Sequence, residues 1–213
     1  MSTIVIAGGH GQIALRLARL LSARGDTVRS LIRNPGHSAG VHAAGAEPVL
    51  ADMEELDSLA EFVEGADAVV FAAGAGPGSG PERKRTVDLG GAVKLLDAAR
   101  ATGARRYLMV SSIGADDPSS GSGPMRPYLE AKAEADAAVS ASDLDWTIVR
   151  PGALTNEPGT GLVAVGEQLG RGSVTRDDVA AVLAGCLDEP RTVGRTFVLL
   201  QGDTPIAEAL ASL

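Results

Sequence analysis

The feature that most constrains this chain is a short apolar run at residues 4–6, followed by three glycines and then by an amphipathic stretch. Ile4, Val5 and Ile6 are β-branched, which favours a strand covered on both faces, as in a parallel sheet. Glycines allow the backbone to turn tightly and a ligand to come close. The next apolar residues follow the spacing of one helix face, namely Ile13, Leu17, Leu20 and Leu21. The sequence therefore predicts a strand, a tight turn and a helix in direct succession.

The glycines of this turn match the spacing of a dinucleotide-binding turn in two ways. Gly9, Gly11 and Ala14 fit G-x-G-x-x-A, whereas Gly8, Gly11 and Ala14 fit G-x-x-G-x-x-A. The N-terminus of a helix presents unpaired N–H groups and the positive end of the helix dipole, and both favour a phosphate. We therefore expect this turn to hold the pyrophosphate of a dinucleotide, with His10 on the loop beside it.

The end of the second predicted strand, over residues 27–33, indicates which dinucleotide is bound. An acidic residue about twenty positions beyond the glycines binds the ribose hydroxyls of NAD, whereas an arginine accommodates the 2′-phosphate of NADP. Arg33 stands here, and no acidic residue is beside it in the sequence. The sequence therefore predicts NADP, with NAD less favoured, and offers Arg29 as a second candidate contact.

The next two predicted strands also end in residues suited to a cofactor site. The strand over 47–53 leads to Asp52, which can accept a hydrogen bond from an adenine amino group. Asp52 can equally cap a following helix, because Glu55 stands three residues further on. The strand over 68–74 ends in small residues, which leave room for a cofactor at the carboxyl ends of the strands.

Strands alternate with helical patterns along the whole chain, which is typical of βαβ units. We expect further strands over 106–112, 145–150 and 195–200, and helices from about Arg85 and Tyr128. The fold class is therefore α/β, with one domain over residues 1–213 and a doubly wound, mostly parallel sheet. Residues 153–173 are expected to be irregular, within a small insertion on the substrate side that spans residues 152–175.

Composition excludes several classes of function. The net charge of -8 and an aromatic content of 3% argue against a nucleic-acid surface, which needs basic groups and stacking side chains. No segment approaches the ~20 apolar residues that span a bilayer. One cysteine and three histidines show no metal-ligand spacing. We expect a cytoplasmic protein without a metal, a monomer or a homodimer, whose partner is a small-molecule substrate.

Tyr128 and Lys132 form the candidate catalytic group. They stand four residues apart on a predicted helix, so both side chains project from one face. An ammonium group close to a phenol favours the phenolate form and makes the phenol more useful as an acid or base near neutral pH. Ser112 or Ser111, at the end of the neighbouring strand, can hydrogen-bond the reacting carbonyl or alcohol.

Four segments together resemble the atypical short-chain dehydrogenase/reductases, specifically the NAD(P)-binding branch of NmrA-like proteins and bacterial sugar epimerases. These segments are residues 5–14, 110–112, 128–132 and 146–152. The resemblance implies a Rossmann fold with NADP over the carboxyl ends of the strands. It also implies catalytic roles for serine, tyrosine and lysine and a place near the nicotinamide for Arg150, Pro151 and Gly152.

Two departures from that family affect the interpretation. The asparagine that usually precedes the glycine after the fourth strand is replaced by alanine, and the segment 152–173 is short for a nucleotide-sugar pocket. We therefore predict an NADPH-dependent reductase of a small carbonyl, quinone or flavin-like acceptor. An NADP-binding regulator without turnover and a sugar epimerase are the alternatives.

The predicted site comprises two sets of residues. The catalytic set is Ser112, Tyr128 and Lys132. The cofactor-binding set is Gly8, Gly9, His10, Gly11, Gln12, Ile13, Arg33, Asp52, Met53, Ala72, Ala73, Gly74, Ser111, Lys132, Pro151 and Gly152.

Overall fold

The strands of the protein are the predicted apolar segments and several shorter ones. The structure is a computed structural model and describes residues 1–76 and 78–213. The strands are β1 (Thr3–Ala7), β2 (Thr27–Ile32), β3 (Glu47–Leu50), β4 (Ala68–Phe71), β5 (Arg106–Val110), β6 (Asp145–Pro151), β7 (Ala153–Thr155), β8 (Leu162–Gly166), β9 (Ser173–Thr175), β10 (Arg195–Gln201) and β11 (Thr204–Pro205).

Helices connect the strands. They are α1 (Gln12–Ala23), α2 (Ser38–Ala43), α3 (Ala60–Val63), α4 (Pro81–Arg83), α5 (Ala92–Thr102), α6 (Met125–Ser140), α7 (Arg176–Asp188) and α8 (Ile206–Ala211). A π-helical segment, Lys84–Gly91, joins α4 to α5. Short 3₁₀ turns lie at Pro35–His37, Pro118–Ser120 and Pro190–Thr192.

The main sheet has the order β11-β8-β10-β6-β5-β4-β1-β2-β3. All neighbouring strands between β10 and β3 in this sheet order pair in parallel. Strands β8 and β11, at the other edge, pair antiparallel. The chain order reverses between β1 and β4, which opens a crevice at the carboxyl ends of these strands. The predicted α/β class with a doubly wound, mostly parallel sheet and a Rossmann topology is confirmed.

Two apolar layers cover the sheet, because successive strand residues point to opposite faces. Ile4 and Ile6 pack with α1, α7 and α8 on one face. Val5 packs with α3, α5 and α6 on the other face. The β-branched run at the start of the chain is therefore buried on both sides, as its composition predicts.

The structure corrects the expectation of an irregular segment over residues 153–173. Strand β8 pairs antiparallel with β10, and Val163 is fully buried against that sheet. A two-stranded parallel sheet of β7 and β9 lies beside it. Because β8 is flanked by glycines and pairs with β10 and β11, which are both distant in sequence, local sequence patterns do not reveal it.

Several helix boundaries also differ from the prediction. No helix follows Asp52 directly: its carboxylate accepts from the Glu54 N–H at 2.9 Å, and the next helix, α3, begins at Ala60. The helix expected from Arg85 begins at Pro81, and the one expected from Tyr128 begins at Met125. Proline suits the first turn of a helix, where the missing N–H has no intrahelical partner.

Leu20 is not on the buried face of α1, contrary to the prediction. It is 43% exposed, whereas Ala14, Ala18 and Leu21 are fully buried. Small alanine side chains allow α1 to pack closely on the sheet and on α7. None of the described helices has the length and apolar character needed to cross a bilayer.

Arg106, the first residue of β5, connects this strand to β6 and α7 through hydrogen bonds. Its guanidinium donates to the carbonyls of Asp145 and Cys186, each at 2.6 Å. It also donates to the hydroxyls of Thr147 and Thr192, each at 2.8 Å. Burial lowers the pKa of Arg106, and among the described residues no carboxylate lies within salt-bridge distance. The residue therefore stabilises the fold through a set of partly buried acceptors.

We expect Arg106→Met to lower the free energy of unfolding by about 2–4 kcal/mol, because buried acceptors lose a charged donor. Urea denaturation measures the change. Arg105→Met is the matched control, since that side chain is exposed and its contacts lie at the surface. Equal stability of the two variants would contradict the role assigned to Arg106.

Candidate active site

The glycine turn is shaped by close contacts with the ends of two other strands. Gly8 has a φ of +79°, and a Cβ at this position would lie 2.6 Å from the Ala73 Cα. A Cβ on Gly9 would lie 2.5 Å from the Ser30 Cβ. The Gly9 N–H also donates to the Leu31 carbonyl at 2.9 Å. Larger residues at either position would push the turn away from β2 and β4.

Within the described part of the chain, no side chain caps the first N–H groups of α1. Gly11 is the N-cap residue of this helix and has an extended backbone, with no side chain to accept a bond. No acidic residue lies in the first turn. Such a helix start favours a phosphate, because its N–H groups and its dipole are uncompensated.

A cavity of about 240 Å³ lies against this turn, at the crevice between β1 and β4. Nine of the predicted cofactor-binding residues line it, namely Gly8, His10, Gly11, Arg33, Asp52, Met53, Ala72, Ala73 and Gly74. Seven further residues, not predicted from the sequence, also line it, namely Leu31, Ile32, His37, Ala51, Glu54, Arg83 and Val87. The dinucleotide turn and the ends of β2, β3 and β4 thus share one cavity.

The other predicted residues of the turn face elsewhere. The Gln12 side-chain oxygen accepts from Arg16 at 2.8 Å, and the Ile13 side chain is 8% exposed and packs in the core. Their backbone N–H groups, rather than their side chains, belong to the start of α1. Gly9 does not line the cavity either, and its role is to let the turn pack closely on β2.

Arg33 is accompanied by an acid, which the local sequence did not indicate. The Glu54 carboxylate lies 3.3 Å from the Arg33 guanidinium and 2.9 Å from that of Arg83. The Thr86 hydroxyl donates to the other Glu54 oxygen at 2.7 Å. Arg29, the second predicted contact, instead donates to the Glu64 carbonyl at 2.8 Å and does not line the cavity.

The imidazoles of His10 and His37 stack at the edge of the cavity. Their ring centroids are 3.8 Å apart and the planes differ by 10°. Burial and, to a smaller extent, His37 lower the pKa of His10, so its neutral form is favoured near pH 7. His10 therefore contributes a flat, uncharged surface beside the glycine turn.

Tyr128 lies near two ammonium groups. The Lys84 Nζ is 5.3 Å from the centroid of its ring and the Lys132 Nζ is 5.9 Å away. The other tyrosine of the chain, Tyr107, is fully buried and donates to the Ala92 carbonyl at 2.9 Å. Burial also raises the pKa of Tyr107. Tyr128 is partly exposed and is therefore the tyrosine that a ligand can reach.

The Lys132 side chain is 3% exposed and pairs with Asp88, whose side chain is fully buried, at 3.3 Å. Its Nζ also donates to the Val110 carbonyl at 3.0 Å and lies 3.5 Å from the Ala73 carbonyl oxygen. Ala73 lines the cavity, so Lys132 connects the cavity wall to the Tyr128 region. Lys132, which the sequence predicts as both a catalytic and a cofactor-binding residue, is therefore already engaged with Asp88 in this structure.

The two predicted serines differ in their surroundings. The Ser111 hydroxyl is buried and donates to Asp136 at 2.9 Å, and Arg150 donates to the same carboxylate oxygen at 2.9 Å. Burial raises the pKa of Asp136, against the opposing effects of Ser111 and Arg150. The Ser112 residue is partly exposed, and among the described residues its hydroxyl bonds only the adjacent Ile113 carbonyl, at 3.2 Å. Ser112 is therefore the serine free to turn toward a ligand.

Pro151 and Gly152 lie beyond Arg150 at the end of β6, and both are buried. The Pro151 carbonyl accepts from the Ile113 N–H at 3.0 Å, next to Ser112. The Gly152 N–H donates to the Leu199 carbonyl at 3.0 Å. They therefore shape the backbone beside Ser112, and neither lines the cavity at the glycine turn.

Asp88 and Asp136 are not among the residues predicted from the sequence, although a signal for them exists. Asp88 shares a helical stripe with Ala92, Leu95 and Ala99, all buried. Asp136 lies between Lys132 and Val139 on the buried stripe of α6. Charged residues at inward helix positions indicate buried partners, because an unpaired buried charge is costly.

The residues present fit a dinucleotide. The uncapped start of α1, the Cβ-free turn and the basic side chains of Arg33 and Arg83 suit phosphates, and the crevice lies where open α/β sheets bind ligands. The fold and the cavity together define a dinucleotide-binding protein of the Rossmann class.

Comparison with known proteins gives the family. A family model described as NAD(P)H-binding matches residues 8–190, and the chain belongs to that family. The chain is 42% identical over 212 residues to the uncharacterized sugar epimerase YhfK of Bacillus subtilis, covering 99% of each chain. The predicted resemblance to NAD(P)-binding proteins of the epimerase-like branch is confirmed.

Solved structures agree with this assignment. A Bacillus halodurans protein, provisionally named an NAD-dependent epimerase/dehydratase, superposes with a TM-score of 0.95 at 40% identity, covering 100% of each chain. The oxidoreductase ylbE of Lactococcus lactis superposes with a TM-score of 0.87 at 30% identity, covering 99% of this chain and 96% of that one. The protein is thus an NAD(P)-binding member of an oxidoreductase- and epimerase-like family.

Proposed function

We propose that the protein is an NADPH-dependent reductase of a small carbonyl, quinone or flavin-like acceptor. The observation that carries the proposal is the position of Tyr128. It is partly exposed, it lies within 6 Å of two ammonium groups, and Lys132 joins it to the cavity wall through Ala73. A proton donor beside a dinucleotide cavity is the arrangement that carbonyl reduction requires.

Each residue has a role in this proposal. NADPH supplies a hydride to the acceptor when it is bound. Tyr128 donates a proton to the acceptor oxygen, and Ser112 hydrogen-bonds the same oxygen. Lys84 and Lys132 place positive charge within 6 Å of the Tyr128 ring, on the side of the site where the proton is transferred. Asp88 fixes Lys132, and solvent returns the proton to Tyr128.

The cofactor is expected to lie along the crevice, with its pyrophosphate at the glycine turn. The end of β2 favours NADP, because Arg33 lines the cavity where a 2′-phosphate is bound in related folds. The segment 152–175 would cover the acceptor, since β7 follows Gly152 directly. We further infer a cytoplasmic location, which suits the single cysteine, Cys186, buried and with a pKa raised by burial to about 12.

The test is a titration with NADPH and NADH followed by an acceptor screen. We expect tighter binding of NADPH, and NADPH oxidation that depends on a carbonyl, quinone or flavin acceptor. Tight NADPH binding without turnover on any acceptor would favour a regulatory protein of the NmrA-like type instead.

A second candidate, a sugar epimerase, is favoured by the names of two relatives. Epimerisation regenerates the cofactor in each cycle, so it predicts conversion of a nucleotide sugar with no net NADPH consumption. Proton NMR of UDP-sugars incubated with the protein and catalytic NAD(P) distinguishes the two functions.

A further inference from the structure

The wall of the cavity at the end of β2 carries two arginines from different parts of the chain. Arg33 follows β2, whereas Arg83 ends α4, beyond the loop that leaves β4. Both line the cavity, and both direct their guanidinium groups to one oxygen of Glu54. The Arg83 Nε donates to that same oxygen at 3.1 Å.

An oxygen contacted by two guanidinium groups marks a place suited to a phosphate. Arginine binds carboxylate and phosphate oxygens through the same planar set of N–H donors. In this structure the Glu54 carboxylate occupies that place, and the Glu54 side chain is 26% exposed. The other acid of this wall, Asp52, accepts from the Glu54 N–H and is thereby turned to the backbone.

We infer that Arg33 and Arg83 together bind the 2′-phosphate of NADP, and that Glu54 occupies their donors when the nucleotide is absent. This inference rests on the proposed preference for NADP and adds two specificity-determining residues to it. Arg83 strengthens the binding of the phosphate. Glu54 weakens it, because its carboxylate competes for the same N–H groups and repels the phosphate charge.

The inference is tested with adenosine nucleotides that lack the nicotinamide, so that the readout is independent of turnover. Isothermal titration of 2′,5′-ADP and of 5′-ADP gives the contribution of the 2′-phosphate alone. We expect Arg83→Met to weaken 2′,5′-ADP binding about tenfold, the effect of losing one charge-assisted hydrogen bond, and to change 5′-ADP binding less than about twofold.

Glu54→Gln is expected to act in the opposite direction. It removes the competing charge but keeps the size of the side chain, so 2′,5′-ADP should bind about three- to tenfold more tightly. Arg85→Met is the matched control: Arg85 is two residues from Arg83, but its guanidinium pairs with Glu134 on α6 and does not line the cavity.

Three outcomes would overturn the inference. Unchanged 2′,5′-ADP binding in both variants, with a wild type that prefers 2′,5′-ADP, removes Arg83 and Glu54 from the site and leaves the proposed function intact. If Arg83→Met weakens the binding of 2′,5′-ADP and of 5′-ADP equally, Arg83 contacts the pyrophosphate or stabilises the fold. A wild type without preference for 2′,5′-ADP shows that the predicted NADP specificity is itself wrong.

Discussion

Tyr128→Phe lowers kcat for a carbonyl acceptor by roughly 10²–10⁴-fold, the usual contribution of a positioned general acid. The substitution removes one oxygen atom and keeps the ring that lies near Lys84 and Lys132. NADPH affinity and thermal stability should therefore stay close to those of the wild type. Steady-state kinetics with a carbonyl acceptor, together with an NADPH titration, measures the two effects separately.

Two comparisons sharpen this prediction. Tyr107→Phe is not a suitable control for activity. The buried Tyr107 hydroxyl donates to the Ala92 carbonyl, so its loss lowers the stability of the protein. Lys84→Met is informative: Lys84 has no carboxylate within 4 Å among the described residues, so its removal should reduce kcat with a smaller effect on folding. Unchanged turnover of a carbonyl by Tyr128→Phe would show that the tyrosine is not the proton donor.

Lys132→Met lowers the free energy of unfolding by about 3–5 kcal/mol, the cost of leaving a buried charge without its partner. Asp88 is fully buried, and its carboxylate also accepts from the Ala75 N–H at 3.1 Å. The loss of Lys132 therefore leaves a fully buried carboxylate without the cation that pairs with it. Urea denaturation of the nucleotide-free protein measures the change.

The chain contains a matched control for this prediction. Arg85 and Glu134 form a second ion pair between the same two helical segments, but both side chains are about half exposed. Arg85→Met should change stability little, since surface pairs are screened by water. The double variant Lys132→Met with Asp88→Asn should regain part of the lost stability. A Lys132→Met protein as stable as Arg85→Met would contradict a buried pair.

The stability role of Lys132 changes how its activity is interpreted. In the proposed function Lys132 acts beside Tyr128, yet its Nζ is already bonded to Asp88 and to the Val110 carbonyl. A loss of activity in Lys132→Met is therefore evidence about catalysis only at temperatures where the variant is folded. Circular dichroism under the assay conditions provides that check.

Much of the fold could be predicted from the sequence, because its signals are local. The run at residues 4–6, the glycines that follow and the spacing of Ile13 and Leu17 are enough for a strand, a turn and a helix. The repetition of strand and helix then predicts parallel pairing. Strand β8 escaped prediction, since its partner β10 lies about thirty residues away and only pairing makes the segment a strand.

In the candidate site too, some residues could be predicted from the sequence and others could not. Arg33 could be chosen from its distance to the glycines, but Arg83 and Glu54 are adjacent to it only because segments distant along the chain pack together. Lys132 and Tyr128 could be paired from their spacing, whereas Asp88, which binds Lys132, lies on another helical segment.

The sequence by itself determined the glycine turn, the alternation of the parallel strands with helices, and the side chains able to carry chemistry. Only the tertiary structure decided which charges neutralise one another, because the ion pairs of Lys132, Arg150 and Arg33 join elements that are distant along the chain. Hydrophobic periodicity is a property of neighbouring residues, whereas the pairing of buried charges depends on how the layers of the sheet and helices pack together.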